Sequence, residues 1–415
     1  MKNFNFKNKR LYCEKVSVPD ICEKFETPFY LYSKKSIIDK YKLLSNHIKN
    51  KKVLIAYAVK ANSNLSILKI LQKCGAGADV VSLGELVRVK EAGFHPNKIV
   101  YSGVGKRLEE IIFALDFGIL QFNVESIEEL FLISEVAQKK NMSANIAIRV
   151  NPDIKAGSHP KISTGKKTDK FGIDILEAEK VFTMAKSMKG IRVVGVDIHI
   201  GSQITNINAY KKAFKVIYNL TKKLDKMNFK IQNIDLGGGI GLIDDKRKES
   251  DFIKKFSLLI NKTQNKLEKK VIIEPGRYLV GDAGIIVTKI LFKKTNSNKN
   301  FLIIDAGMND FMRPALYSAQ HNIETLFQKS SKKNKFDIVG PICETSDIMA
   351  KDVMIDKEIS SNSFLFISQT GAYGSVMSSN YNSRNSITEL LVEGNKVRLI
   401  KRKVGIKEML KFEKF

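Results

Sequence analysis

The sequence predicts an α/β fold, a (β/α)8 barrel followed by a mainly antiparallel β domain. Three observations carry that reading. Eight short β-branched runs alternate with segments of helical period, and polar and glycine residues collect at the C-terminal ends of those runs. Beyond residue 280 the helical segments fade while the strand-like runs continue. At 415 residues the chain exceeds the size at which a single core stops growing. Two domains are therefore expected, one of them large enough for a barrel of about 250 residues.

The eight runs are residues 53–59, 78–82, 98–102, 119–124, 144–150, 193–200, 231–236 and 271–274. Amphipathic segments fill the seven intervals between them. In one of these, Ala213, Ile217, Leu220, Leu224 and Met227 recur in steps of four and three, which places one apolar stripe on a helix. A further helical pattern at 36–49 precedes the first run and is placed to close the ring. An open doubly wound sheet is the alternative arrangement of the same alternation. A long polar loop, 151–172, interrupts the pattern after the fifth run, and loops of that length tend to be functional. Past 280, strands are expected at 285–292, 301–306, 336–339, 364–368 and 396–400, with 29–32 joining them. Residues 295–300 and 328–335 are polar, turn-rich connections. The expected domains are a barrel over 35–280 and a β domain over 281–415 to which 1–34 contribute.

Hydrophobic residues at 43% and charged residues at 27% describe a folded chain and exclude a disordered one. No stretch approaches the ~18 apolar residues of a membrane span. The opening MKNFNFKNKR is basic but lacks the apolar core of a secretory signal. Cys13, Cys22, Cys74 and Cys343 lie far apart with no CxxC pair, so neither a zinc site nor a disulfide framework is expected, and no metal. A reducing cytoplasm is the natural location. The net charge of +27 raises nucleic-acid binding as a possibility. The lysines, however, are spread along the chain on the polar faces of helices, and no nucleic-acid module accompanies them. Neither a nucleic-acid nor a membrane partner is expected. The positive field would speed the approach of an anionic cofactor and a dicarboxylate.

The residues that follow the runs carry chemistry. Lys60 ends the first, in AYAVKANSN, where partial desolvation would lower an amine's pKa and suit it to attack a carbonyl. An abundant lysine reaching solvent is the plainer reading. Asp79, Asn123 and Arg149 end the next runs, and His199 lies in DIHIGSQ. Gly237, Gly238 and Gly239 follow the seventh, where backbone N–H groups could approach a phosphate or simply form a tight turn. Glu274, in EPGR, is a carboxylate at the end of an apolar strand and needs a partner. A protonated ring nitrogen would serve, as would Arg277 or a lysine. Alone, His199 reads as a satisfied buried imidazole and Cys343 as a core thiol.

Together these features form a pattern. The segments are AYAVKAN at 56–62, HPKISTG at 159–165 with KFG at 170–172, HIGSQ at 199–203, LGGG at 236–239 and EPGR at 274–277. They continue with DAGMNDFMRPALY at 305–317, GPICETSD at 340–347 and GAYGSVMSSNYNSR at 371–384. The chain resembles the pyridoxal-phosphate-dependent decarboxylases built on an alanine-racemase-like barrel, over nearly its whole length, and most of all those acting on diaminopimelate. The resemblance implies pyridoxal 5'-phosphate (PLP) as cofactor, held by Lys60 as a Schiff base, with His199 packed on the ring. Gly237, Gly238 and Gly239, with the backbone of Gly276 and Arg277, would cradle the phosphate, and Asp79 and Ser202 would complete the contacts. Glu274 would keep the ring nitrogen protonated. Tyr373 would help fix cofactor and substrate, and Cys343, from a neighbouring subunit, would deliver a proton, making the active site one shared across a homodimer. Arg277, Arg313 and Tyr317 would bind a distal carboxylate and Glu344 a distal ammonium. The expected reaction is decarboxylation of meso-2,6-diaminopimelate to L-lysine and CO2, the last step of lysine biosynthesis. A decarboxylase of the same fold acting on ornithine, arginine or carboxynorspermidine is the alternative. A PLP-holding protein without activity is another reading, against which Lys60, Glu274 and Cys343 speak. The one departure from the pattern is Asn385, where relatives often carry proline.

Overall fold

The computed structural model describes residues 1, 3–48, 52–154, 169–297, 299–328 and 332–414. The chain forms two compact units, Lys40–Tyr278 and the pair of segments Met1–Asp39 and Leu279–Phe415.

Lys40–Tyr278 is built on eight parallel strands: β1 (Val53–Ala58), β2 (Gly77–Val80), β3 (Ile99–Tyr101), β4 (Gln121–Val124), β5 (Ala144–Asn151), β6 (Ile191–Asp197), β7 (Asn233–Gly238) and β8 (Lys270–Glu274). Each pairs with the next, and β8 returns to β1 through Val271–Ile273 against Val53–Ile55. The sheet is therefore a closed barrel with no free edge, and the open doubly wound alternative falls away. Helices occupy all seven intervals, as the periodicity predicts. In Ile207–Lys226 the buried face is Ala213, Phe214, Ile217, Leu220 and Leu224, each large side chain contributing about 1.5–3 kcal/mol on burial. The C-terminal half of helix Lys34–His47 lies against Lys246–Leu267, through a Lys40–Glu249 ion pair and the Asn261 amide donating to His47 O at 3.2 Å.

Several of the strand-to-helix junctions are closed by a short polar side chain. Asn64, Ser82, Ser126, Asn206 and Asp245 each accept a backbone N–H of the first helical turn, worth about 1 kcal/mol apiece. These caps fix where the chain leaves each strand, and so which residues stand at the C-terminal mouth of the barrel. Several expected boundaries move by one to three residues, and two of these shifts bear on the site. β6 ends at Asp197, leaving His199 in the following loop, and β7 runs on through Gly237 and Gly238. Within the long loop, HPKISTG lies outside the described residues. Its return limb is described: Ile173–Asp174 pairs in parallel with Val150 and Asn151 of β5.

The other unit is a mainly antiparallel sheet in the order Ile348–Asp356, Lys333–Val339, Lys299–Ile304, Gly284–Asn296, Phe29–Ser33, Thr388–Glu393, Lys396–Lys401. Two of its pairings are parallel, Lys299–Ile304 with Lys333–Val339 and Thr388–Glu393 with Phe29–Ser33. Alternation sets its faces. Phe29, Leu31, Ile285, Val287, Leu390 and Val392 share one core with Phe4, Leu11 and Ile21, while Tyr30 and Tyr32 stack with each other at 5.9 Å. The N-terminal residues add a small sheet, Phe4–Lys7, Arg10–Cys13 and Val16–Ser17, that the sequence reading does not anticipate. Among the described residues no helix is long and apolar enough to cross a membrane.

Candidate active site

Lys60 occupies a 3-10 turn, Val59–Ala61, that continues directly from β1. Its side chain is 36% exposed and its ammonium donates to Asp79 Oδ2 at 2.8 Å, a carboxylate with no solvent exposure at the end of β2. Glu85, on the helix that follows β2, is pushed up to about 7 by burial, against the pull of the Val81 N–H and of Lys60.

Three more carboxylates converge from the last strands. Asp197 of β6, Asp235 of β7 and Glu274 of β8 are buried, with oxygens within 4.8 Å of one another. Burial and the repulsion of neighbouring carboxylates, Asp79 among them, raise all three above the ordinary carboxylate range, Asp197 and Glu274 strongly and Asp235 to about 6. Asp235 is raised least because the Gly237 N–H (3.1 Å) and the Asn123 amide (3.2 Å) donate to it. On the opposite flank, Arg149 of β5 donates to Glu125 Oε1 at 2.6 Å and lies 3.9 Å from Asp197. Glu125 Oε2 also accepts the Gly172 N–H at 2.9 Å, and the Arg149 guanidinium sits 5.0 Å over the Phe171 ring. The KFG segment is thus fastened to the ends of β4 and β5.

His199 Nδ1 accepts the Gly238 N–H at 3.1 Å, which puts the ring proton on Nε2. Burial, with Arg149 and Lys60 nearby, holds the imidazole well below its usual pKa and therefore neutral. The triple glycine answers first to the barrel's own packing. A Cβ on Gly238 would lie 1.9 Å from Glu274 O in the adjacent strand, and the N–H groups of Gly237 and Gly238 are already donated to Asp235 and His199. Gly276 packs on Ala58 and Ala61, Arg277 is buried, and Ser202 is half-buried in the turn after β6.

In the sheet unit, Arg313 opens the short helix Arg313–Tyr317 and is 3% exposed, with its guanidinium 5.6 Å from the Tyr317 ring centre. Cys343 and Glu344 are exposed in a loop shaped by Asp347, which accepts the N–H groups of Met308 and Ile342, both at 2.7 Å. The Cys343 N–H donates to Asn382 Oδ1 at 3.0 Å, and the Tyr381 hydroxyl donates to Glu344. Tyr373 is half-buried and adopts a left-handed φ of 54°. Sequence reasoning gives no role to Asp197, Asp235, Arg149 or Glu125. Their signal was present, since each is a charge at the end of an apolar run.

The barrel mouth suits a phosphorylated pyridine aldehyde. It offers an accessible amine on Lys60, and its buried acids (Asp79, Glu125, Asp197, Asp235, Glu274) outnumber its cations, Lys60, Arg149 and Arg277. Asp79 Oδ1 and Asp197 Oδ1 are buried without a hydrogen-bond partner among the described residues. A protonated ring nitrogen supplies the missing positive charge. Fold and site together define the class of pyridoxal-dependent decarboxylases, and the family model of their pyridoxal-binding domain matches residues 34–281. Diaminopimelate decarboxylase of Aquifex aeolicus is 41% identical over 407 residues, 97% of this chain and 96% of that one. The crystal structure of diaminopimelate decarboxylase from Helicobacter pylori complexed with L-lysine superposes with a TM-score of 0.89 at 39% identity, covering 95% of this chain and 98% of the other. The M. jannaschii diaminopimelate decarboxylase in co-complex with L-lysine gives 0.92 at 36% identity, covering 98% and 96%. The chain belongs to the diaminopimelate decarboxylase family.

Proposed function

We propose that this protein decarboxylates meso-2,6-diaminopimelate to L-lysine and CO2, with pyridoxal phosphate carried on Lys60. The observation that carries the reading is the pairing of the Lys60 amine with buried Asp79 on one side of the barrel mouth and the Glu274–Asp235–Asp197 carboxylates on the other. Lys60 would hold the cofactor covalently, and Asp79 would keep the amine oriented. Glu274 would hold the proton at the ring nitrogen, and the neutral His199, fixed by Gly238, would lie against the ring face. Ser202, Gly239 and the backbone of Gly276 and Arg277 would receive the phosphate, with Gly237 and Gly238 as the floor beneath it. When bound, the cofactor supplies an electron sink for the pair of electrons left as CO2 departs.

Substrate choice is assigned to the sheet unit and to Arg277. Arg277, Arg313 and Tyr317 would grip the distal carboxylate, since a guanidinium fork matches that geometry. Glu344 would meet the distal ammonium, and Tyr373 would close on both cofactor and substrate. The Cys343 thiol would deliver the proton that replaces the lost carboxylate. Its exposure in the single chain supports supply from a second copy, so the working form is a homodimer with shared sites, in the cytoplasm.

The test is to load the protein with pyridoxal phosphate, record its absorption and add meso-diaminopimelate. A lysine-bound chromophore near ~420 nm, together with lysine and CO2 in equal amounts, is the expected result. A chromophore with turnover of ornithine or arginine instead would overturn the substrate, and no chromophore would overturn the role of Lys60.

A further inference from the structure

The lumen of the barrel holds a row of side chains that the reaction as described leaves unused. The Asn233 amide of β7 donates to Gln121 Oε1 at 2.8 Å, and the Gln121 amide of β4 donates to Asn123 Oδ1 at 2.8 Å. The Asn123 amide in turn donates to Asp235 Oδ2 at 3.2 Å and to Ser102 Oγ at 3.1 Å. The Ser102 hydroxyl points on to Glu274 Oε1 at 3.5 Å. All six residues are buried. Gln121 and Asn123 share the inner face of β4 because they are two residues apart. Gly195 of β6 leaves them room, since a Cβ there would sit 3.3 Å from Gln121 Oε1.

Amides in an apolar barrel are costly unless each is satisfied, so leucine or valine would be the simpler filling. What the row achieves is direction. Every donor points the same way, from the floor of the barrel toward the carboxylates at its mouth. Aligned hydrogen bonds polarise one another, and the positive end of this row rests on Asp235. The groups around Glu274 are Asp235, Asp197, Asp79 and Ser102, with Lys60, Arg149 and the neutral His199 3.9 Å away. In that crowd only Asp235 receives donors from both a backbone N–H and the amide row.

We propose that Asn233, Gln121 and Asn123 are positioning residues that hold Asp235 as the carboxylate, so that its negative charge stands behind Glu274 where Glu274 would accept the N–H of the cofactor's ring. The inference rests on the reading of Glu274 as the partner of that nitrogen. Without the row, Asp235 takes up a proton more readily, the negative charge behind Glu274 falls, and a protonated ring nitrogen is held less firmly.

The experiment binds pyridoxal phosphate labelled with nitrogen-15 in the ring and follows the nitrogen chemical shift against pH. It compares the native chain with Asn123→Leu, Gln121→Met and Glu274→Gln. In Asn123→Leu the ring nitrogen should lose its proton at a pH lower by about one unit, a tenfold weaker hold on the proton. Gln121→Met, one step further from the cofactor, should move it in the same direction by less. If Glu274→Gln shifts the titration while both other variants follow the native curve, the amide row has no such role. If Glu274→Gln leaves the curve in place, the assignment of Glu274 falls first and takes the inference with it. Should Asn123→Leu fail to fold, Gln121→Met decides alone, an unshifted curve counting against the row.

Discussion

Glu85 shows how burial at the barrel mouth turns into pH dependence. Its carboxyl rises from 4.5 to about 7 because it is taken out of water beside Asp79, more than the Val81 N–H and Lys60 can offset. A folded-state value above the unfolded one means that folding favours the neutral acid. That contribution is complete below an unfolded glutamate's pKa and is lost as pH rises through about 7. In cofactor-free protein, Glu85→Gln should therefore gain on the native chain between pH 5 and pH 8, by about 1–2 °C in Tm, roughly 1 kcal/mol. Melting curves that keep a constant separation over that range would show that Glu85 does not titrate there. At this scale the places of Lys60, Asp79, His199 and Glu274 at or just beyond the ends of apolar runs were legible from sequence, while the roles expected of them came from the family resemblance. The partnership of Asn123 with Asp235 was not legible. It joins β4 to β7 across the lumen, and no periodicity along the chain records which strands face each other.

Among the elements, β7 and β8 set the tightest tolerance. Their register brings Gly238 against Glu274, so close that a methyl group at Gly238 would meet a backbone oxygen at 1.9 Å. The obstacle is main chain and cannot swing aside. Gly238→Ala should lose more than about 3 kcal/mol, at the severe end for a single substitution, read as the urea midpoint of the purified protein. A midpoint equal to the native one would show that the two strands are further apart than described. Barrel strands such as Val53–Ala58 and Ile191–Asp197 were readable from sequence since a parallel barrel is buried on both faces and these strands are largely apolar runs. Ile348–Asp356 and Thr388–Glu393 escaped for the opposite reason. The first mixes Lys351 and Asp352 into its middle at a register shift, and the second begins and ends on polar residues. The N-terminal strands have only two to four residues each, too few to show a period.

For the whole molecule, the proposed sharing of sites between subunits makes a prediction that no single chain can satisfy. Lys60→Ala and Cys343→Ala should each be nearly inactive alone. Co-refolded in equal amounts they should recover about a quarter of native activity, since about half the dimers are mixed and each mixed dimer restores one of two sites. Inactive mixed dimers, isolated by two different affinity tags, would remove the shared site. The division of the chain has its own outcome for synthesis. Phe29–Ser33 lies in the middle of its sheet, between Gly284–Asn296 and Thr388–Glu393, with the whole of Lys40–Tyr278 in between along the chain. On the ribosome this strand emerges some 250 residues ahead of its first partner, a wait of roughly 12–50 s at ordinary elongation rates. The barrel can finish while its leading segment still trails an apolar Phe-Tyr-Leu-Tyr edge. The nascent chain therefore passes through a stage in which one central strand waits for all its neighbours in the sheet, and it is there that a chaperone would be needed.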